Sequence, residues 1–245
     1  MNKELENSLL IFTDGSSLGN PGPGGWGAIL TYPRLDEIIE LGGSKIKTTN
    51  NEMELTAIIS ALTYALNSTS QAHIFTDSQY AINGATKWMY GWSKNGWKTK
   101  TGEDIKNKSI WQTMHSLVEE KGADTITWQH VKGHVGIPGN ERVDDIAREL
   151  AEGIDVQLYR GTLSDYSIKD ILDLDLIENA TEQAKEDKKK GGKAYLYLSL
   201  IDGVLMKHKT WPECESRVTG KKAKFKKALS EHHEQEILKE WGLTE

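Results

Sequence analysis

Ile11-Phe12-Thr13-Asp14-Gly15 is nearly repeated further along the chain as Ile74-Phe75-Thr76-Asp77-Ser78. In each stretch a short apolar run with strand character ends on an aspartate followed by a small residue. One aspartate at a strand end is most often a turn residue or a helix cap. Two matching ends are more informative. If the strands are neighbours in a sheet, Asp14 and Asp77 come within a few ångströms of each other. Carboxylates that close repel, and their pKa values rise. A divalent cation held between them removes the conflict.

Outward from this pair, Leu9 to Thr13 reads as a buried strand and Gly25 to Tyr32 as a second, joined through a Gly/Pro-rich turn from Gly19 to Gly25. A third strand spans Glu37 to Gly42. Asn51 to Leu66 carries Leu55, Ile58, Ile59, Leu62 and Leu66 at helical spacing. After the strand His73 to Thr76, helical stretches run through Met89 and again from about Glu103 to Glu120. Thr125 to Val131 is the last strand and Glu141 to Ala151 the last helix. Consecutive strands followed by strand–helix alternation predict an α/β fold, a mixed sheet flanked by helices.

Two further acids belong with the pair. At ~100° per residue, the apolar stripe of the first helix is centred beside Glu54, which puts a carboxylate at the margin of the core. In the last helix Asp144 and Asp145 compete. Val143, Ile146, Ala147 and Leu150 define the buried stripe; Asp144 flanks it at ~100° whereas Asp145 lies ~150° away. The phase selects Asp144.

The formal net charge of −6 conceals two segments of opposite sign. Ser164 to Asp187 holds eight acids against two lysines, and Lys188 to Lys227 holds twelve Lys/Arg against three acids. Lys185 to Lys193 looks like a flexible linker. The chain thus divides into a domain over 1–152, an acidic connector with a Lys/Gly-rich linker over 153–192, and a small α+β module over 193–245. Within the module a strand is expected from Ala194 to Leu200, a hairpin turn at Asp202-Gly203, and short helices over Lys221 to Leu229 and Glu234 to Trp241. Cys214 is the single cysteine, which excludes an intrachain disulfide and a cysteine-based zinc site. No apolar run approaches the roughly 18–20 residues of a membrane helix, and the charged N-terminus lacks the apolar stretch of a secretory signal. A cytoplasmic setting without a membrane partner is expected.

Several motifs stand in order along the first domain: Thr13-Asp14-Gly15-Ser16 with Gly19-Asn20-Pro21-Gly22-Pro23-Gly24-Gly25, then Thr49-Asn50-Asn51-Glu52-Met53-Glu54, and Thr76-Asp77-Ser78-Gln79-Tyr80. Gly96-Trp97-Lys98-Thr99 follows, and Val131-Lys132-Gly133-His134 leads to Gly139-Asn140-Glu141-Arg142 and Asp144. In this set, over roughly residues 8–152, the chain resembles type 1 ribonucleases H. The resemblance implies a ribonuclease H-like fold with a mixed five-stranded sheet, and a site for two Mg2+ or Mn2+ ions. The family's four acidic ligands map onto Asp14, Glu54, Asp77 and Asp144. Its mobile histidine maps onto His134, in a loop whose Gly133, Gly136, Pro138 and Gly139 suit a flexible lid. The implied chemistry is in-line hydrolysis of a phosphodiester by ions ~3.5–4 Å apart, held by the oxygen ligands that hard cations prefer. The expected ends are a 5′-phosphate and a 3′-hydroxyl.

The implied partner is an RNA–DNA hybrid, cut by a monomer with little base readout. By resemblance Asn20, Asn50, Asn51 and Gln79 contact the minor groove and 2′-hydroxyls, while Thr49 and Asn107 hold a phosphate of the DNA strand. Trp88, Trp92, Trp97 and Lys98 resemble a basic protrusion that follows that strand; the alternative, strongest for Trp88 and Trp111, is that the tryptophans only pack a helix. Glu52 departs from a position often basic in bacterial relatives, which puts one substrate contact in doubt. The C-terminal module resembles a small viroplasmin-like, hybrid-binding domain, with Trp211, Lys222, Phe225 and Lys226 as candidate contacts to a hybrid or double-stranded RNA. Two rivals remain: a hybrid binder without turnover, whose mark would be a missing carboxylate, and an integrase-like enzyme acting on DNA, against which the asparagines and the His134 loop argue.

Overall fold

The computed structural model describes residues 3–133, 136–172, 195–201, 203–221, 223–228, 234, 237–239 and 241–243. They fall into two units, divided between Thr181 and Glu182. His134, Lys222, the linker over 185–193 and the hairpin residue Asp202 lie outside the described residues.

After a single helical turn, α1 (Lys3–Glu6), the apolar run forms β1 (Leu9–Ser17), which pairs antiparallel with β2 (Gly22–Tyr32). β3 (Glu37–Thr48) pairs antiparallel with β2. It extends past the expected end at Gly42, because Gly43, Ser44, Lys45 and Thr48 find partners in β2. On its other side β1 runs parallel to β4 (Ala72–Thr76), and β4 runs parallel to β5 (Ile126–His130). β6 (Arg160–Thr162) adds to the far edge of β3, giving the order β5-β4-β1-β2-β3-β6. The mixed α/β sheet is therefore as expected in kind, but it has six strands rather than five. The sixth comes from the stretch expected to be a connector, and three residues are too few to show periodicity.

Alternation along β1 sends successive side chains to opposite faces. Leu9 and Ile11, with Ala28 and Leu30, pack beneath α2 (Asn50–Tyr64) and α5 (Lys108–Lys121) through Leu55, Ile58, Trp111 and Met114. Leu10 and Phe12, with Ile29 and Phe75, meet Val143 of α6 (Pro138–Ala151), and also Tyr166 and Ile171. Burying a side chain of that size contributes roughly 1.5–3 kcal/mol. The stretch 160–172 therefore contributes Tyr166 and Ile171 to the first unit's core.

The helical stretch after β4 is not continuous. α3 (Gln79–Asn83) widens into a π turn over Gly84–Trp88 before α4 (Met89–Lys94). Around this turn Tyr80 and Trp92 both pack edge-on against the buried Trp111, each with ring centroids 5.5 Å away. α5 begins at Lys108 rather than Glu103, because Gly102 (φ +86°) and Asn107 (φ +58°) adopt the left-handed conformation that a helix excludes.

The second unit is a three-stranded antiparallel sheet, β8 (Val204–His208), β7 (Leu196–Ile201) and β9 (Lys224–Ala228), with α7 (Trp211–Val218). The helix expected over Lys221 to Leu229 is thus a strand. Lysine and alanine favour helix in isolation, but pairing with β7 buries Ala228 and overrides that preference. α7 went unread, although Glu213 accepts a hydrogen bond from the Thr210 amide at 3.3 Å, as in a capping box. Among the described residues no helix is long and apolar enough to cross a membrane.

Candidate active site

Phe12 and Phe75 form the last paired rung of β1 and β4, their rings stacked at 4.9 Å. Asp14 and Asp77 each stand two residues further on. Both strands therefore deliver a carboxylate to the same end of the sheet.

Asp14 is 8% exposed and faces Gly27 of β2. A methyl group on Gly27 would lie 2.7 Å from the Val143 carbonyl oxygen. The missing side chain lets α6 rest directly on this rung, and Asp144 is the next residue. Asp145 turns away, paired with Arg148 on the half-exposed side of the helix. Asp144 is near enough to Asp14 to repel its charge.

Glu54 arrives by a second close approach. A methyl on Gly15 would come within 2.1 Å of the Glu54 amide nitrogen, so the first turns of α2 press against β1. Gly15→Ala is expected to push α2 off the strand, destabilise the unit by about 1–3 kcal/mol, and lower activity further than stability explains. Melting curves and cleavage rates taken well below the transition check this.

Two donors hold the Glu54 carboxylate: Asn50 Nδ2 at 2.9 Å from Oε1, and the Ser78 hydroxyl on Oε2. Ser78 also accepts the Ala81 amide at 3.1 Å, so it caps α3 while donating to Glu54. The sequence reading missed this residue. Its signal was available, since Ser78 is the small residue that ends the second strand motif.

Burial pushes the Asp14 carboxyl up to about 8, with repulsion from Asp77, Asp144 and Glu54 adding to it and the Gly15 amide, 2.7 Å away, opposing it. Burial also raises Glu54, reinforced by Asp77 and opposed by Ser78 and Asn50. Among the described residues no three His, Cys, Asp or Glu side chains come together as a group that could hold a metal ion as they stand. The fit to a metal rests instead on charge: hard oxygen donors face one another around a buried Asp14, a conflict that a divalent cation resolves.

The loop expected as a lid starts against this cluster. A methyl on Gly133 would lie 2.8 Å from Asp77 Oδ2, and His130 Nε2 is 3.2 Å from the Asp77 carbonyl oxygen.

The other nominated residues spread over the adjoining surface. Asn20 is exposed in the β1–β2 turn, Gln79 is exposed at the start of α3, and Asn51 is partly covered in the first turn of α2. Thr49 caps α2, its hydroxyl 3.4 Å from the Glu52 amide, and Asn50 is engaged with Glu54. Glu52 is tied to Thr48 at 2.7 Å and to Lys45 at 3.5 Å. Asn107 Nδ2 is 3.4 Å from the Tyr80 hydroxyl, which also receives Trp111 Nε1 at 2.9 Å. Trp111 is wholly buried, Trp92 and Trp97 are partly so, and Trp88 and Lys98 are exposed. Packing therefore accounts for Trp111, whereas Trp88 offers a face to solvent. In the second unit Trp211 lies between Tyr197 at 5.7 Å and Phe225 at 5.6 Å, its ring tilted against both, and Lys226 is exposed.

The family model for RNase H matches residues 6–152, more than half of the chain. The chain belongs to the ribonuclease H family. A ribonuclease H of Rhizobium meliloti (strain 1021) is 48% identical over 142 residues, covering 58% of this chain and 89% of its own length. That of Acidovorax sp. (strain JS42) is 46% identical over 148 residues, covering 60% of this chain and 97% of its own length. Among solved structures, LC9-RNase H1, a type 1 RNase H with the type 2 active-site motif, has a TM-score of 0.56 at 28% identity, over 66% of this chain and 81% of that one. The foamy viral protease-reverse transcriptase in complex with RNA/DNA hybrid has a TM-score of 0.54 at 19% identity, over 63% of this chain and 21% of that one, a likeness of fold alone. As a ribonuclease H, the chain is a phosphodiester hydrolase. The family match ends at residue 152, so β6, Tyr166 and the second unit lie beyond it.

Proposed function

We propose that this ribonuclease H cuts the RNA strand of RNA–DNA hybrids as a monomer, with Asp14, Glu54, Asp77 and Asp144 as the acids that hold its metal ions. The observation that carries the reading is the buried Asp14, raised to about 8 among three other carboxylates. Two Mg2+ or Mn2+ ions, when bound, supply charge stabilisation for the phosphate and an activated water.

The protein's own part is positioning. The Gly15 amide fixes Asp14, Asn50 and Ser78 fix Glu54, and the close seat of α6 brings in Asp144. Asn20, Asn51 and Gln79 select the substrate, since amides accept and donate without adding charge. Thr49 and Asn107 hold the DNA strand, with Trp88, Trp92, Trp97 and Lys98 beside it. His134 serves proton transfer or product release.

The test compares a labelled hybrid with duplex DNA and duplex RNA, with and without Mg2+ or Mn2+, in the native protein and in Asp77→Asn. Cleavage confined to the RNA of the hybrid, metal-dependent and lost in the variant, is the expected result. Equal cleavage of duplex DNA, or undiminished cleavage by Asp77→Asn, would sink the reading.

The module over 193–245 is proposed to bind hybrid or double-stranded RNA through Trp211 and Phe225, with Lys222 and Lys226 supplying salt-dependent attraction. The ladder of Tyr197, Trp211 and Phe225 beside exposed lysines supports this. Replacing Trp211 and Phe225 by alanine is expected to weaken hybrid binding by about thirtyfold or more, at roughly 1–3 kcal/mol for each of the two aromatic contacts, while single-turnover cleavage at saturation stays unchanged. Fluorescence anisotropy over a salt series reads the difference.

A further inference from the structure

Glu40, on β3, is a carboxylate inside the protein, its side chain 1% exposed. Four donors fill its acceptor positions. Arg142 Nε and the Tyr166 hydroxyl reach Oε1 at 2.7 and 2.5 Å; Arg142 Nη2 and the Tyr159 amide reach Oε2, each at 2.9 Å. The Glu40 amide also donates to the Tyr159 carbonyl at 2.7 Å. Two donors thus come from α6 and two from the stretch after it, which lies outside the family match.

A buried ion pair roughly breaks even in stability against apolar packing, so its value lies in fixing one geometry. Here the geometry concerns α6. Arg142 and Asp144 are two residues apart and project on nearly opposite sides of the helix, at ~200°. Rotation of the helix by about 10° would carry a carboxylate ~6 Å from its axis through about 1 Å. That is more than a metal ligand tolerates, roughly 0.2–0.5 Å. The clamp on Arg142 opposes this rotation. Tyr166 and Ile171 also share one apolar cluster with Phe12, Phe75 and Val143, which seats the stretch on the sheet without fixing the rotation. Those three stand two residues before Asp14, two before Asp77 and one before Asp144.

We propose that residues 158–171 are a strap that positions Asp144, with Tyr166 as its key: the Tyr166 hydroxyl completes the Glu40–Arg142 clamp and fixes the rotation of α6. Tyr166 is a positioning residue and touches no substrate. The proposal rests on the reading of Asp144 as a metal ligand.

The test uses the full chain and three variants. Tyr166→Phe removes the hydroxyl and keeps the ring, Ile171→Val loosens the same cluster without touching the clamp, and Asp144→Asn reports on the ligand itself. Mn2+ binding is measured by electron paramagnetic resonance without nucleic acid, well below the melting transition, beside Tm and the metal dependence of cleavage. Tyr166→Phe is expected to weaken Mn2+ binding about tenfold, the size seen when partners of metal ligands are removed. Its kcat at saturating metal should stay within about twofold, and Ile171→Val should lower Tm with Mn2+ binding unchanged. Native Mn2+ affinity in Tyr166→Phe, with binding lost in Asp144→Asn, overturns the strap and leaves the site reading standing. Native affinity in Asp144→Asn overturns the reading beneath it.

Discussion

Asp14→Asn is expected to abolish nearly all turnover and, in EDTA, to make the protein more stable than the native chain. The loss of turnover should be on the order of a thousandfold, because the variant removes a charge that acts directly on the metal and the reacting phosphate. The gain in stability follows from the other half of the same arrangement. The folded protein keeps the Asp14 proton until about pH 8, whereas the ordinary value is 3.8. Between those values the unfolded chain releases a proton that the folded one retains, so metal-free stability falls as pH rises from about 4 to 8. The displacement corresponds to an upper bound on the order of 6 kcal/mol. Asparagine keeps the shape, can accept the Gly15 amide, and has no proton to lose. The difference between variant and native protein should therefore be small near pH 4 and largest at pH 8. Saturating Mg2+ should close it by stabilising the native chain alone. Urea unfolding at pH 4, 6 and 8 decides the matter, and a pH-independent difference would contradict the account.

Arg142→Met should produce a large loss of stability. It takes two donors from Glu40 and leaves a buried carboxylate half satisfied, at a cost of about 3–5 kcal/mol. In a unit of this size that lowers Tm by roughly 6–20 °C. Adding Glu40→Leu to the variant should restore much of it, since no buried charge is then left without a partner. Burial alone would raise Glu40, yet the hydrogen bonds of Arg142, Tyr166 and the Tyr159 amide hold it below the ordinary 4.5. The clamp's contribution is complete above 4.5 and is lost as pH falls through the folded value. The gap between native protein and Arg142→Met should accordingly narrow in acid. Thermal melts across pH 3–7 check both the size and the slope.

Both variants show which features a sequence makes legible. Asp14 and Asp77 could be paired because neighbouring strands carry the same motif, and a repeated motif is a local pattern; that β1 runs on past Asp14 to Ser17 was not legible, because its last residues are held by β2. Asp144 could be separated from Asp145 because helical phase is local too. The Glu40 clamp is different. Its partners stand 102, 119 and 126 residues away, so no window of sequence contains the interaction. β6 was unreadable for a related reason, since Arg160-Gly161-Thr162 becomes a strand only because the edge of β3 is there to receive it. In β9 local preference misled, as alanine and lysines that favour a helix were recruited by β7. Ser78 was visible as part of a motif, but its bond to Glu54 joins two helix starts that only the fold brings together.

The parallel pairing of β1 with β4, which sets Leu9 beside Ala72, has a consequence for synthesis. Neither strand can find its neighbour until the intervening hairpin and helix have been made, and closing so long a connection delays contact formation. The fourth acid comes later still, on α6. A nascent chain arrested at residue 137 thus carries three of the four acids and is expected to be inert on a hybrid. Arrested chains long enough to expose residue 172 outside the ribosome should cleave hybrid, and those arrested at residue 137 should not.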